Sequence, residues 1–375
     1  MAVMTFAAID IGSYEVSMKI FEMSKRIGFR ELNDVRYSLE IGKGVYSDGK
    51  IDSEMLNVLC EVLNDFKRLM QDFGVEEYRA CGTSAFRELV NPLLIIEQIY
   101  QRTGMKIEIL SSAEQHFLGY KSIAAIEKGF KKMIQKGTAI LDVGGGSLQV
   151  SLFDKDALVT TQGLKMGSLR IRQRLQELEK TTIHYDKLVE EFIRNDLMSF
   201  QRLYLKDKEI RNVILMGDFI TDMIFQEEME DRIITREEFM KRYEDTVGKS
   251  VDLLAQEMEI DPEYASLVVP TMVVCRNFID IFNAESLWAP GVSLLDGIAY
   301  DFAEKKTVHR MSLEQVNVRN ELQELTNSVV TTARVRKLLL KLVDENELPQ
   351  NWRELDQKAI MKKLSSAVYY DCVKE

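Results

Sequence analysis

Two short stretches carry residue types suited to phosphate chemistry: Ile9-Asp10-Ile11-Gly12-Ser13 and Leu141-Asp142-Val143-Gly144-Gly145-Gly146-Ser147. Each sets one aspartate beside a glycine turn and a hydroxyl. The two aspartates lie 132 positions apart (142 − 10), about one domain of chain. Consecutive glycines at 144–146 let successive backbone N–H groups face one concavity, a nest that binds phosphate oxygens without side-chain charge. An aspartate at a strand end can hold a hydrated divalent cation, which usually binds through one or two carboxylates plus phosphates and water. A single copy is also compatible with an ordinary glycine-rich hairpin. The repetition points to a phosphate compound gripped from both sides.

The elements that must position these turns can be read from periodicity. Residues 5–10 form an apolar run, and Val16, Met18 and Ile20 then alternate with Ser17 and Lys19, so the first aspartate sits in a β-hairpin. Asp52 and Ser53 can cap a helix carrying Leu56, Leu59, Leu63, Phe66 and Met70, ended by Gly74. A strand at 78–82, a short helix at 84–90, a helix from Pro92 to about Gly104, a strand at 106–110 and a helix capped at 111–112 and running to about 129 complete the first half. The second half restarts the order: strand 138–142, glycine turn, returning strand at 148–152, helices at about 168–179 and 184–204, and a strand at 212–216. A charged helical region at about 236–259, an apolar helix from Pro270 to Phe282, a short strand at 287–288 and a helix from about Ser293 follow. This is an α/β layout of two lobes, 1–128 and 129–305, with a small helical appendage at 306–375.

Composition narrows the function classes. At 375 residues the chain is long enough for two or three domains. A net charge of −11 argues against a broad basic face, so duplex nucleic acid is not an expected partner. An acidic protein that handles polyanions must concentrate positive potential locally, in backbone amides, a metal ion and a few basic side chains. Cys60, Cys81, Cys275 and Cys372 lack metal-ligand spacing and read as reduced core thiols. With no secretory pattern at the N-terminus and no run of 18 apolar residues, neither export nor a membrane span is expected, and the location expected is cytoplasmic. His116, His184 and His309 form no metal or triad spacing, and His116 reads as a helix-surface residue or one lining the cleft.

The paired hairpins resemble the actin-like (ribonuclease H-like) ATPase superfold, two lobes around a cleft. Within it, further segments resemble the exopolyphosphatase/guanosine pentaphosphate phosphatase family. Residues 80–88 (Ala-Cys-Gly-Thr-Ser-Ala-Phe-Arg-Glu) resemble its A-T-S-A-x-R-x-A, and 107–111 followed by an acid-bearing helix start resemble its I-E-V-I-S-G-x-E-E-A. Residues 141–147 match its I-D-I-G-G-G-S, 41–51 resemble L-G-x-G-L…x-G-x-L, and 166–170 resemble L-G-x-x-R. The resemblance spans about residues 5–305 and argues against an ATP-dependent small-molecule kinase on the same superfold. It implies hydrolysis of a terminal phosphoanhydride, in polyphosphate or guanosine penta- or tetraphosphate, with Mg²⁺. Carried over residue by residue, Asp10 and Asp142 would handle metal and water. Gly12, Ser13, Gly144, Gly145, Gly146, Ser147 and Gly217 would cradle phosphates, and Thr83 and Arg87 would touch the chain or its water, although Arg87 also reads as a surface helix residue. The resemblance and the helical tail suggest a homodimer.

Departures from the family pattern cluster. The resemblance places the family's catalytic glutamate on Gln115. Glu114 lies one residue earlier, about 100° around the helix, and takes the role only if the alignment slips by one. The family's arginine after the first turn falls on Ser17, its second-lobe L-G-G-T loop on 215–219 with Asp218 in place of a small residue, and its late G-L-R-E-G on 293–297 without the arginine. Each change removes a proton acceptor or positive charge, or adds a negative one. The expectation is therefore a phosphoanhydride hydrolase with weakened catalysis, or alternatively a non-catalytic sensor or scaffold. A glutamine can still orient water where the transition state is loose.

Overall fold

Two sheets of matching order frame the molecule, seen in a computed structural model that describes residues 4–24, 28–125, 130, 133–155, 157–179, 182, 184–206, 208–217, 224 and 232–305. The first sheet is built from β1 (Met4–Ile11), β2 (Glu15–Ser24), β3 (Gly28–Ser38), β4 (Glu77–Gly82) and β5 (Ile107–Ile109), in the order β3–β2–β1–β4–β5. The second contains β6 (Thr138–Val143), β7 (Leu148–Asp154), β8 (Ala157–Leu164), β9 (Asn212–Met216), β10 (Ile233–Thr235) and β11 (Ser286–Trp288), in the order β10–β11–β9–β6–β7–β8. In both, three strands form an antiparallel meander, and two further strands add in parallel on the side of the strand that bears the aspartate; the second sheet ends in an antiparallel edge strand, β10. The lobes expected from the repeated hairpin are thus two versions of one topology. The expected appendage at 306–375, with His309 and Cys372, lies outside the described residues.

Alternation fixes which way each strand faces. On β1, Ala7, Ile9 and Ile11 join a core with Leu56, Leu59, Leu63 and Phe66 of α2 (Ser53–Asp72), whose first turn is capped by Asp52 accepting from the Met55 amide at 2.7 Å. Phe6 and Ala8 point the other way, and Asp10 continues that row at the strand's end. The second sheet repeats the division: Leu141, Val143, Leu148 and Val150 pack into a core with Val273 and Phe278 of α11 (Val268–Phe282), leaving Asp142 on the opposite face.

The remaining helices are α1 (Ile41–Asp48), α3 (Ser84–Glu88), α4 (Pro92–Thr103), α5 (Ser112–Ala124), α6 (Ser168–Glu179), α7 (Tyr185–Tyr204), α8 (Arg236–Val247), α9 (Val251–Met258), α10 (Pro262–Ala265), α11 (Val268–Phe282) and α12 (Leu294–Lys305). Periodicity did not reveal α1, β3, β8 or β10. In β3 a register shift against β2 at Ile20/Phe21 breaks the alternation that marks a strand. The expected helical region at 236–259 is two helices, parted at Gly248. Helix α11 starts two residues before Pro270, which a first turn tolerates because the missing N–H has no intrahelical acceptor there. The apolar segment Pro262–Phe282 has a mean hydropathy of 1.5 and is 78% buried inside the protein, so core packing accounts for its composition. Cys60, Cys81 and Cys275 are free and buried.

Helix α5 is shared between the sheets. Tyr120 hydrogen-bonds Ser151 of β7 and Thr161 of β8 (2.6 Å), while Leu118 packs with Leu295 and Ile298 of α12 against Phe6 and Ala8. The last described helix therefore crosses back onto the first sheet. Gly297 permits the approach: a Cβ there would lie 2.0 Å from the Leu118 carbonyl oxygen. A buried ion cluster locks the same contact, with Asp301 receiving Lys121 at 2.6 Å and Arg79 at 3.0 Å, and Glu304 receiving Lys121 at 2.7 Å. Burial works to raise the Asp301 carboxyl pKa, but Lys121 and Lys305 outweigh it and hold it below the usual value.

Gly297→Ala is expected to destabilise the protein by about 1–3 kcal/mol through overpacking, read as a lower urea midpoint. A depressed carboxyl contributes stability above its unfolded pKa, near 3.9, that is lost as pH falls through its folded value. Asp301→Asn should therefore lower the midpoint at pH 7, by about 3 kcal/mol for one partner of a buried pair, and reduce the fall of stability below about pH 4.

Candidate functional site

The two tight turns are built alike. The Gly12 amide closes the first on the Glu15 carbonyl at 2.9 Å, and the Gly144 amide closes the second on the Ser147 carbonyl at 3.0 Å. Each turn is backed by a helix N-terminus. Gly42 of α1 donates to the Ser13 carbonyl at 2.7 Å, while Ser168 and Arg170 of α6 donate to the Gly144 and Gly145 carbonyls at 3.2 and 3.0 Å. The orphan N–H groups of those first turns thereby satisfy the turn carbonyls. The amides of Ser13, Tyr14, Gly145, Gly146 and Ser147 have no backbone partner among the described residues.

Both turns open onto one cleft. Of the residues proposed from sequence, Asp10, Gly12, Ser13, Thr83, Gln115, Asp142, Gly144, Gly145, Ser147 and Gly217 line it. Arg87 and Gly146 are not in its lining. Gly146 faces away from the cleft, against Tyr46 and Ser84 of the first lobe; a Cβ there would sit 1.7 Å from the Tyr46 hydroxyl. Tyr46 in turn hydrogen-bonds Ser13, which also bonds Ser84 at 2.6 Å. The turns thus meet directly, with Arg170 stacked 3.8 Å over the Tyr46 ring and paired with Glu88 at 2.6 Å.

Helix α5 starts at a capping box: Glu114 accepts from the Ser111 amide at 2.9 Å and hydroxyl at 2.7 Å, while the Ser111 hydroxyl accepts from the Glu114 amide at 3.2 Å. These bonds hold the Glu114 carboxyl below its usual pKa. Glu114 is thus committed to the cap, and Gln115 reaches the cleft. Arg87 stands behind it, its Nη1 donating to the Leu110 carbonyl at 2.9 Å and to Gln115 Oε1 at 3.0 Å. A guanidinium only donates, so this contact fixes the amide orientation and leaves Gln115 Nε2 without a claim from Arg87. Burial pulls the Arg87 pKa down, opposed by Tyr46, Asp10 and Glu88.

Sequence reading missed several lining residues: Tyr14, Glu15, Ser84, Gly119, Gln149, Tyr264 and Thr271 among them. Gln149 had a readable signal, shared with Ser17. In each hairpin the residue across the ladder from the aspartate shares its face: Ser17 opposite Asp10 and Gln149 opposite Asp142, and all four line the cleft. Tyr264, from α10, donates to Glu15 at 2.7 Å and could be found only from the tertiary structure. His116 is buried, not on the surface, at 5% exposure. Burial lowers its pKa to about 4, opposed by the neighbouring Gln149 side chain, so the imidazole is neutral near pH 7.

Electrostatically the cleft is unusual. Three carboxylates, Asp10, Glu15 and Asp142, line it, and among the described residues no Lys, Arg or His does. Lys19, two residues beyond Ser17 on β2, is drawn off by Glu31 (3.0 Å), Asp296 (3.3 Å) and Asp34 (3.8 Å). Leu295, at the position where an arginine was expected, is a core side chain. Asp218 lies outside the described residues. Two aspartates at equivalent strand ends, beside hydroxyls and open amides, fit a Mg²⁺ ion that shares its remaining positions with phosphate oxygens and water. Among the described residues no cluster of three or more His, Cys, Asp or Glu forms an all-protein metal cage.

Comparison with known proteins agrees with this architecture. The chain is 24% identical over 355 residues to a guanosine-5'-triphosphate,3'-diphosphate pyrophosphatase of Photobacterium profundum, covering 91% of this chain and 68% of that one. It is 22% identical over 322 residues to a bifunctional 3-dehydroquinate synthase/phosphatase of Fusobacterium nucleatum, of which it spans 47%. Exopolyphosphatase 2 of Mycobacterium tuberculosis is 23% identical over 210 residues, 52% of this chain and 63% of that protein. Among solved structures, the fold is shared by a Ppx/GppA family member of Aquifex aeolicus (TM-score 0.63, 17% identity, 81% of this chain and 99% of that one) and an exopolyphosphatase of Cytophaga hutchinsonii (TM-score 0.65, 17% identity, 80% and 97%). Residues 21–306 match the sequence profile of the Ppx/GppA phosphatase family, and the chain belongs to that family.

Proposed function

We propose that this chain binds a cytoplasmic phosphoanhydride polyanion, polyphosphate or a guanosine penta- or tetraphosphate, in the cleft between its lobes and slowly hydrolyses the terminal anhydride. The observation that carries this reading is the convergence of the two aspartate-bearing turns on one cleft, with Gln115 presented between them. Asp10 and Asp142 would hold Mg²⁺, which neutralises phosphate charge and so favours in-line attack. The open amides of Ser13, Gly145 and Ser147 and the Ser147 hydroxyl would seat phosphate oxygens, with Thr83 and the Gly144 and Gly217 turns alongside. Gln115 holds the attacking water at the terminal phosphorus. Phosphoryl transfer asks for alignment and charge neutralisation more than for covalent chemistry, so a glutamine suffices for a slow reaction.

A second reading, a non-catalytic sensor of the same ligands, is favoured by one contact. Arg87 draws on the Gln115 carbonyl oxygen, the only acceptor on that side chain, so the amide's remaining strength is as a donor. A donor suits a phosphate oxygen better than a water about to lose a proton.

Phosphate release from medium-chain polyphosphate and from guanosine pentaphosphate in Mg²⁺ separates the two. Slow release is expected from the native chain, none from Asp142→Asn, and a gain of about 10²-fold or more from Gln115→Glu, the usual worth of a general base. No release from any of the three, with ligand still bound, establishes the sensor instead. With three carboxylates and no basic side chain among the described lining residues, polyanion affinity should depend on the metal. Isothermal titration with tripolyphosphate should show binding in Mg²⁺ and none in EDTA; equal affinity in both would refute the assignment of Asp10 and Asp142 to a metal.

A further inference from the structure

Three buried side-chain atoms beside the cleft close no hydrogen bond among the described residues: both ring nitrogens of His116 and the Oε1 of Gln149. Both side chains are more than nine-tenths buried. They come from different lobes, His116 from α5 and Gln149 from β7, and they lie against each other, since Gln149 acts as a hydrogen-bonding neighbour of the imidazole. Buried polar groups in folded proteins are paired almost without exception. A neutral imidazole has one N–H to give, and the amide carbonyl has lone pairs to receive it.

The other end of Gln149 is also engaged. Its Nε2 donates to the Ser147 hydroxyl at 3.3 Å. A hydroxyl that accepts from an amide is free to rotate its own proton elsewhere, and Ser147 lines the cleft. Resting on the proposal that the cleft seats phosphate, we infer that His116 is a positioning residue for that seat, acting through a buried relay from His116 to Gln149 to Ser147 that makes the Ser147 hydroxyl a donor aimed at the bound anion. Every bond in the relay runs the same way. The imidazole N–H serves Gln149 Oε1, which fixes the amide with its N–H toward Ser147, which in turn sends its own O–H into the cleft. Phosphate oxygens only accept, so this polarity matches them. The reversed amide would offer its carbonyl to Ser147, draw the hydroxyl proton backward and present a lone pair to an anion. The Arg87–Gln115 contact has the same sense, a buried donor claiming an amide oxygen and turning the amide's N–H outward. Two independent amides at the cleft are thus polarised as donors, one by a guanidinium and one by an imidazole, where no basic side chain is among the described lining residues.

The test is a double-mutant cycle on tripolyphosphate binding in Mg²⁺, read by isothermal titration calorimetry on the full chain. His116→Phe keeps the ring and its packing on Tyr120 but removes the donor; binding should weaken about tenfold, the loss expected for one oriented hydrogen bond. Ser147→Ala should weaken it similarly. The double variant should bind no more weakly than Ser147→Ala alone, because His116 acts only through that hydroxyl, whereas a general packing defect would add its own loss. His116→Gln, which retains an N–H donor, should recover part of the affinity. If His116→Phe fails to fold, judged by its melting transition, Gln149→Leu breaks the relay at its middle and takes its place in the cycle. Unchanged affinity in the single variant, or losses that add in the double, would overturn the relay while leaving the phosphate seat intact. A native chain that does not bind tripolyphosphate at all would overturn both.

Discussion

The site depends on where the carbonyls of two tight turns go. A four-residue turn that offers its amides to a ligand must direct its carbonyls elsewhere, and buried carbonyls need donors. In each lobe the donors are the orphan N–H groups of a following helix, α1 behind Ser13 and α6 behind Gly144 and Gly145. One arrangement satisfies the helix start and the turn together and sets the helix N-terminal dipole behind the turn. Gly146 completes the constraint from the other side, since only a residue without a Cβ lets the second turn press on Tyr46. The turns therefore cannot shift without disturbing α1, α6 and the Tyr46–Ser13–Ser84 cluster together.

Charge is distributed against intuition for a polyanion site. The basic side chains nearby are occupied with structure: Arg170 joins Glu88 and the Gly146 carbonyl, Arg172 joins Glu40 and Ser266, and Lys19 gathers three carboxylates. Arg170 and Arg172 both lie on α6 and both reach residues of the first lobe, so they tie the lobes at the rear of the turns. Among the described residues, the polar groups that face the cleft are carboxylates, hydroxyls, amides and backbone N–H groups. On the proposed function, such a surface would need a cation before an anion could settle, so metal and polyphosphate would bind together. Donor polarity, set at Gln115 by Arg87 and inferred at Gln149 from the imidazole, would then decide which neutral groups serve a phosphate.

Much of this was legible in the chain itself. Both aspartates, both glycine turns and the helix start at Ser111 follow from local rules of alternation, turn chemistry and capping, and the structure puts them where those rules require. The position of Gln115 relative to Glu114 also follows from the 100° step of a helix, once Glu114 is spent on the cap. Ser17 and Gln149 were within reach of the same reasoning, because hairpin register pairs them with the aspartates. His116 was misjudged because a polar side chain on a helix is ordinarily solvated. Its burial arises only because α5 carries a second sheet on its far side.

The sequence by itself determined the repeated acid–glycine hairpin, the two-lobed α/β plan and the two aspartates of the cleft, because these arise from interactions a few positions apart. The tertiary structure alone decided that α12 returns to cover the first sheet, that Tyr264 meets Glu15, that Arg87 stands behind Gln115, and that His116 lies against Gln149. Each of those contacts joins residues whose separation along the chain carries no periodic trace. They become neighbours only when two sheets close on the one helix they share.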